Sequence, residues 1–364
     1  MEMKELTEKL SKLEDPRRQW GNKRHQLEDI LVIGFCSIVC GGEDFTDMES
    51  FGQEREGWLR DFLCLPSGIP DSDTFRRVFE RVDPQALGAA LREWLDFHQT
   101  GRDVVSVDGK TIRGSGGDGH KAYHVVSAFI SENRITLGEL KTEEKSNEIT
   151  AVPELLEMLD LQDSIVTADA MSCQKKIVAK ITEKEADYVI GLKENQPMLL
   201  EDARLYFTGC AAGCTKLQTK EKGHGRIETR AYSLVTELDW LEQRQEWINL
   251  NALGAVTSKV EEQGETRTDT RYFITSLTDI EEFATAVRGH WGIENQLHWC
   301  LDVVFREDAS RARRDNSPLN LNVMRKTALP LLKTADFGRM GLRKKMFRAA
   351  MSPLSLQYVL TGKK

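Results

Sequence analysis

The chain has 364 residues, 40% hydrophobic and 30% charged, with a formal net charge of −8. That length supports a large core in more than one unit, and the composition is ordinary for a water-soluble globular protein. The longest apolar run, "ILVIGFCSIVC" from Ile30, falls far short of the roughly 20 residues that span a bilayer; "MEMKELTEKLSKLEDPRRQW" lacks a signal-peptide core, so a cytoplasmic protein with no membrane part is expected.

Residues 1–95 read as mainly helical. Helical apolar spacing runs through "QLEDILVIGFCSIVC" and breaks at Gly41-Gly42. Asp71 or Ser72 is placed to cap a helix with Phe75 and Phe79 on its apolar stripe. "PQALGAALREWLDFHQ" is a further amphipathic helix. Cys36 and Cys40, four apart in the apolar run, read as core residues on one helix face.

The pattern changes after Gly101. "DVVSVDG" is a short buried strand ending at Asp108, and "KAYHVVSAFISENRITLGELKT" is a hairpin turning at "SENR". "EITAVPELLEMLD" is a helix, and "SIVTADA" a strand ending at Asp169. "SCQKKIVAKITEKEA" is a helix with Ser172 as cap, and "DYVIGLKEN" a strand. A strand, a hairpin, then parallel additions through helices is the order of a ribonuclease-H-like mixed sheet. Residues 196–278 break this order and read as a β-rich insertion of antiparallel strands. A long helix capped by Asp279 then carries "HWGIENQLHW".

Charge is unevenly spread. From Arg306 to Lys364 there are 14 Lys/Arg against four Asp/Glu, so this basic tail is either a solvated helical face or a phosphate-contacting segment. Seven irregularly spaced cysteines do not form a disulfide framework, and Cys210 with Cys214 lack the second ligand pair of a zinc finger.

Two look-alike motifs carry no chemistry. "DGKT" at 108–111 lacks the upstream glycine of a phosphate-binding loop, because position 104 is Val104. "GSGGDG" at 114–119 is followed by a strand, where a dinucleotide site needs a helix, and reads as a loop.

Asp108 and Asp169 each end a buried strand, and the two strands are expected side by side at the sheet centre. Carboxylates so placed repel unless a cation neutralises them. Hard divalent cations accept such oxygen ligands, and a pair of them suits phosphodiester chemistry. Glu294 is the candidate third ligand, with Asp302, Glu307 and Asp308 as rivals. His290, Glu294 and His298 are four apart, so a zinc site on this one helix is an alternative. Trp291 and Trp299 read as core residues or as platforms for an unpaired base.

"SVDGKTIRGS", "KSNEITAVPELLEMLDL", "TADAMSCQKKIVAKI", "DYVIGLKENQ", "HWGIENQLHWCLDVVFRED" and "GLRKKMFRAAM" resemble the insertion-sequence transposases that include the H-repeat-associated proteins of Rhs elements. The resemblance covers nearly the whole chain. It implies an α/β fold, a ribonuclease-H-like mixed-sheet catalytic core with a β-rich insertion, preceded by a helical N-terminal domain. Its expected divisions are 1–95, 96–335 with the insertion at about 196–278, and a basic tail at 336–364. It implies a DDE triad of Asp108, Asp169 and Glu294 holding Mg²⁺, two ions, with Mn²⁺ able to substitute. Related transposases carry an arginine four residues before the glutamate and a lysine seven after; here those positions are His290 and Leu301. Lys110, Arg113, Lys193, Arg288, His290 and His298 are the candidates for contact with DNA. The implied partners are the element's terminal repeats and target DNA, bound by a homodimer at the nucleoid. A non-catalytic DNA-binding remnant is the alternative.

Overall fold

A computed structural model describes residues 2–17, 23–97, 99, 101–117, 119, 121–142, 148–209, 213–223 and 225–363. Five helices open it: α1 (Met3–Ser11), α2 (Leu27–Val39), α3 (Phe45–Leu59), α4 (Ser72–Phe79) and α5 (Pro84–Leu95). Side-chain caps start the last three, each carboxylate accepting an orphan backbone N–H of the first turn: Asp44 from Thr46 and Asp47, Asp71 from Thr74, Asp83 from Ala86. Asp71, not Ser72, is thus the α4 cap. Helix α2 is buried along almost its whole length, so it is the axis of this unit, and Cys36 lies in its core.

The sheet follows: β1 (Val104–Ile112), β2 (Tyr123–Ile130), β3 (Ile135–Thr142), α6 (Glu148–Glu157), β4 (Ile165–Ala168), α7 (Lys175–Glu183) and β5 (Asp187–Leu192). Strand β1 pairs antiparallel with β2 and parallel with β4, which pairs parallel with β5. This is the ribonuclease-H-like arrangement expected from the element order. Strand β1 runs four residues beyond Asp108, because Gly109 to Ile112 keep pairing with Val126 to Tyr123. Ser172 does not cap α7: Gln174 holds that position. Asp169 instead captures the N–H groups of Met171 and Ser172 and winds residues 170–172 into a tight turn.

Residues 196–278 begin with α8 (Pro197–Gly209), which the sequence pattern did not suggest, and continue as β6 (Thr215–Gly223), β7 (Arg226–Val235), β8 (Ala252–Glu262) and β9 (Glu265–Thr275). Strand β9 pairs antiparallel with β5. The insertion therefore extends the central sheet, in the order β3-β2-β1-β4-β5-β9-β8-β7-β6. Helix α9 (Ile280–Gly292) returns the chain across β1 and β4, followed by α10 (Ser317–Thr334), α11 (Leu342–Met351) and α12 (Pro353–Thr361).

The segment read as a basic tail is not a free arm. Met346, Ala349, Leu356, Val359 and Leu360 enter the same apolar core as α1 to α5. Helix α10 runs through that core and also contacts β3. Among the described residues no helix is long and apolar enough to cross a membrane.

Candidate active site

Register brings the first two carboxylates together. Val107 of β1 lies opposite Ala168 of β4, and the next residue on each strand is Asp108 or Asp169. Each uses Oδ1 to accept backbone N–H: Asp108 from Gly109 at 2.9 Å, Asp169 from Met171 at 3.0 Å and Ser172 at 3.3 Å. Gly109 is required where it stands, since a Cβ there would strike the His124–Glu148 pair packed behind β1. That pair, Nε2 to Oε1 at 2.5 Å, is buried. Glu148 belongs to the "KSNEI" motif, whose residues 143–147 lie outside the described set.

The third carboxylate arrives on the turn that continues α9. Two glycines let the helix backbone touch the start of β1 and the end of β2: a Cβ at Gly289 would lie 2.8 Å from Val104 Cγ1, and one at Gly292 would fall on the Ser131 hydroxyl. Ser131 and Ser106 both donate to the Gly289 carbonyl, at 2.8 and 3.3 Å. Beyond Gly292 the helix widens into π turns at Ile293–His298 and Cys300–Val304. Such widening re-aims side chains and recurs at functional sites.

The widening separates the two histidines. His298, 6% exposed, donates from Nδ1 to Glu294 Oε2 at 2.9 Å, and the same nitrogen lies 3.8 Å from Asp108 Oδ2. Donor atoms of Asp108, Glu294 and His298 lie within 4.8 Å of one another. His290 is not in that set; its Nδ1 shares a 3.1 Å hydrogen bond with Thr167 Oγ1, on the Asp169 side. Spacing by four residues therefore does not assemble a zinc site of His290, Glu294 and His298. Asp169 also stands outside the 4.8 Å set, on the other flank of Asp108.

Electrostatics follow from this crowding. Burial, joined by repulsion from Asp169 and Glu294, pushes the Asp108 carboxyl up to about 6; His298 and the Gly109 N–H oppose it. The bond from His298 holds Glu294 below the usual carboxylate range. Burial lowers the His290 imidazole, against the pull of Asp169.

The rival carboxylates have another partner. Lys110 Nζ lies 2.7 Å from Asp302, 3.3 Å from Glu307 and 3.8 Å from Asp308. Burial alone would lower this ammonium; Glu307, Asp302 and Asp308 outweigh it and hold it above its ordinary value. Glu307 is fully buried against Arg325 at 3.5 Å and Asn322 at 2.8 Å. This ionic knot ties β1 to α10. Sequence reasoning missed Glu307 and Arg325 as a pair, and the one available signal was an unbroken "FRED" beside a basic helix.

The remaining candidates are scattered. Arg113 is exposed, 3.8 Å from Asp308. Lys193 is exposed and lines a cavity of about 580 Å³ with Asp169, His290 and Trp291. Arg288 is exposed and donates to Glu221 at 2.8 Å. Trp291 and Trp299 are 39% and 54% exposed, so neither is a core residue. Cys210 lies outside the described residues, and Cys214 is a half-buried thiol.

A ribonuclease-H-like sheet with one carboxylate on a central strand and another just past the end of its neighbour defines a class of metal-dependent phosphoryl-transfer proteins. Residues 99–330 match the family described as "Transposase DDE domain", and residues 7–95 match "DDE_Tnp_1-associated". YncI of Escherichia coli O157:H7, named as a transposase, is 39% identical over all of this chain and 96% of its own. YhhI of Escherichia coli K12, named as an H repeat-associated transposase, is 37% identical over 100% of this chain and 99% of its own. YbfQ of strain K12, named as an inactive transposase, is 37% identical over 78 residues, 21% of this chain. Among solved structures, a piggyBac transposase synaptic complex with hairpin DNA covers 98% of this chain and 78% of its own, at 11% identity and a TM-score of 0.43. The chain belongs to the DDE transposase family, in the group of H repeat-associated proteins.

Proposed function

We propose that this protein is a working DNA transposase. It binds the ends of its own insertion sequence, cuts phosphodiesters there and joins the ends to target DNA. The observation that carries the reading is the convergence of Asp108, Asp169 and Glu294 from two neighbouring strands and a helix pinned across them.

The residues fit a hard cation. Asp108 and Asp169 each engage backbone N–H through Oδ1, which leaves Oδ2 of each as a ligand, and Glu294 adds a third carboxylate. Mg²⁺, two ions, is the proposed cofactor, with Mn²⁺ as substitute. When bound, such ions neutralise the carboxylates, lower the pKa of water and stabilise a leaving oxygen. His298 orients Glu294 and keeps it ionised. Lys193, exposed in the cavity that holds Asp169, and Arg113 contact phosphates in this reading, which position DNA without specifying sequence. Lys110, only 10% exposed, acts by holding β1 to the segment after Glu294.

In this reading residues 1–95 form the N-terminal transposase-associated unit, 96–335 the catalytic domain and 336–364 a basic C-terminal segment. Two ends must be paired, so the working form on DNA is a homodimer, in the cytoplasm at the nucleoid. The test is strand nicking and joining of a duplex carrying the element's end in Mg²⁺, with Asp108→Asn, Asp169→Asn and Glu294→Gln alongside. Activity in the natural chain and loss in all three variants is the expected result. DNA bound but never cut by any form, in Mg²⁺ or Mn²⁺, would replace this reading with the non-catalytic one.

A further inference from the structure

His298 sits deeper in the carboxylate cluster than Glu294 does. The Glu294 side chain is 60% exposed, whereas the His298 ring is buried. The turn that carries both is anchored from behind, where Ile293, Leu297, Cys300 and Leu301 enter the same apolar core as α2 and α10. A ring packed in this way loses its rotamer freedom on folding, so its nitrogens are in place before any ligand arrives.

The ring also has bonding capacity left over. Glu294, held below the usual carboxylate range, is ionised at neutral pH and can only accept. The Nδ1 proton therefore points at Glu294 Oε2, 2.9 Å away. Nε2 is then a bare lone pair, buried and without a hydrogen-bond partner among the described residues. Buried polar atoms are seldom left so.

A histidine that served Glu294 alone would need no second carboxylate beside it. Yet Nδ1 also lies 3.8 Å from Asp108 Oδ2, the oxygen that the Gly109 N–H leaves free. Neighbouring ligands on an octahedral divalent cation stand about 3 Å apart and opposite ones about 4 Å. The separation from Glu294 is already that of neighbours, and the separation from Asp108 lies between the two. His290 gives the contrast: its Nδ1 is taken up by Thr167, and it stands outside the set formed by Asp108, Glu294 and His298.

We infer that His298 is itself a metal ligand, its Nδ1 joining Asp108 and Glu294 around one divalent transition cation of the Mn²⁺ type. The inference rests on the proposed metal chemistry and adds a nitrogen to what was an all-oxygen set. The cation takes the place of the Nδ1 proton, which passes through water to the free lone pair on Nε2, so the ring stays neutral. Imidazole suits transition cations, while Mg²⁺ is best served by oxygen. This position therefore holds Mn²⁺ more tightly than Mg²⁺.

The test is pulsed electron paramagnetic resonance of Mn²⁺ bound to the full chain without DNA, which detects nitrogen bonded to the ion. Growing the natural chain on histidine that carries the heavy nitrogen isotope alters that signal without any substitution, so the result does not depend on a variant folding. A nitrogen signal that the label alters is expected, lost in His298→Gln and kept in His290→Gln. Calorimetry on His298→Gln should show Mn²⁺ affinity lower by about tenfold or more and Mg²⁺ affinity lowered less. A histidine that only orients Glu294 would weaken both ions alike and give no nitrogen signal, and that result overturns the assignment. A signal lost in His290→Gln and kept in His298→Gln overturns it as well. If the natural chain binds no Mn²⁺, the proposed metal chemistry fails and this ligand with it. If it binds Mn²⁺ and cuts DNA with no signal from histidine, the nitrogen ligand alone fails.

Discussion

Replacing Asp108 by Asn is expected to stabilise the metal-free protein while abolishing its chemistry. Asp108 is about three-quarters buried and faces Asp169 and Glu294, and its carboxyl is raised from 3.8 to about 6. A raised carboxyl binds its proton more tightly in the folded chain than in the unfolded one. Stability from this group is therefore complete below the unfolded pKa and lost as pH rises through about 6. The loss by pH 7.5 is about 3 kcal/mol. Asn keeps the Oδ1 acceptor for Gly109 N–H and carries no charge, so it avoids that loss. For a chain of this length about 3 kcal/mol corresponds to a Tm rise of about 4 °C. The assay is thermal unfolding in a chelator from pH 4 to pH 8. The difference between variant and natural chain should be near zero at pH 4, grow through pH 6 and level above it. Excess Mg²⁺ should close the gap by stabilising the natural chain only. An Asn variant no more stable than the natural chain at pH 7.5, or a difference independent of pH, would refute the reasoning.

Mn²⁺ affinity, read by calorimetry, should fall about tenfold per pH unit below pH 6, because Asp108 must lose its proton to act as a ligand. Gly292→Ala should slow strand cleavage and cost about 1–3 kcal/mol, since the added Cβ collides with Ser131 and shifts Glu294; cleavage at the natural rate would remove the close-contact argument. Arg325→Met should cost about 3–5 kcal/mol in denaturant unfolding by leaving Glu307 buried without its closest cation on α10. Adding Glu307→Gln to it should restore part of that stability, and a double variant worse than the single would show that the pair is not the cause. His290→Ala should leave metal binding nearly intact, because His290 bonds Thr167 rather than joining Asp108 and Glu294; loss of binding by more than about tenfold would overturn that separation.

Much of the architecture was legible from local chemistry. Apolar runs such as "DVVSV" and "SIVTA" mark buried strands wherever they fold; Asp169 falls just past the end of its strand as read, whereas Asp108 lies inside β1, because the pairing with β2 carries that strand on to Ile112. Asp71 and Asp279 cap their helices as the pattern indicated, because a carboxylate two or three residues ahead of a free N–H needs no distant partner. Strand β8 was not legible, since its first half is buried on both faces and its second half is largely open on both, so neither half alternates cleanly. Ser172 lost its place as a cap because it is drawn into the turn that Asp169 caps, its N–H bonded to that carboxylate, and α7 begins only at Lys175 after Gln174.

By itself, then, the sequence determined the element order from β1 to β5, the central pairing of the Asp108 and Asp169 strands and the family. These rest on periodicities and motifs read within a few residues of one another. Only the tertiary structure decided that His298 joins Asp108 while His290 turns toward Asp169, because π widening changes a helix's repeat without a local mark in composition. Only it placed Lys110 among Asp302, Glu307 and Asp308, and packed α11 and α12 into the N-terminal core. Charge pairing and burial depend on which distant segments meet, and that meeting is settled by how the whole chain packs.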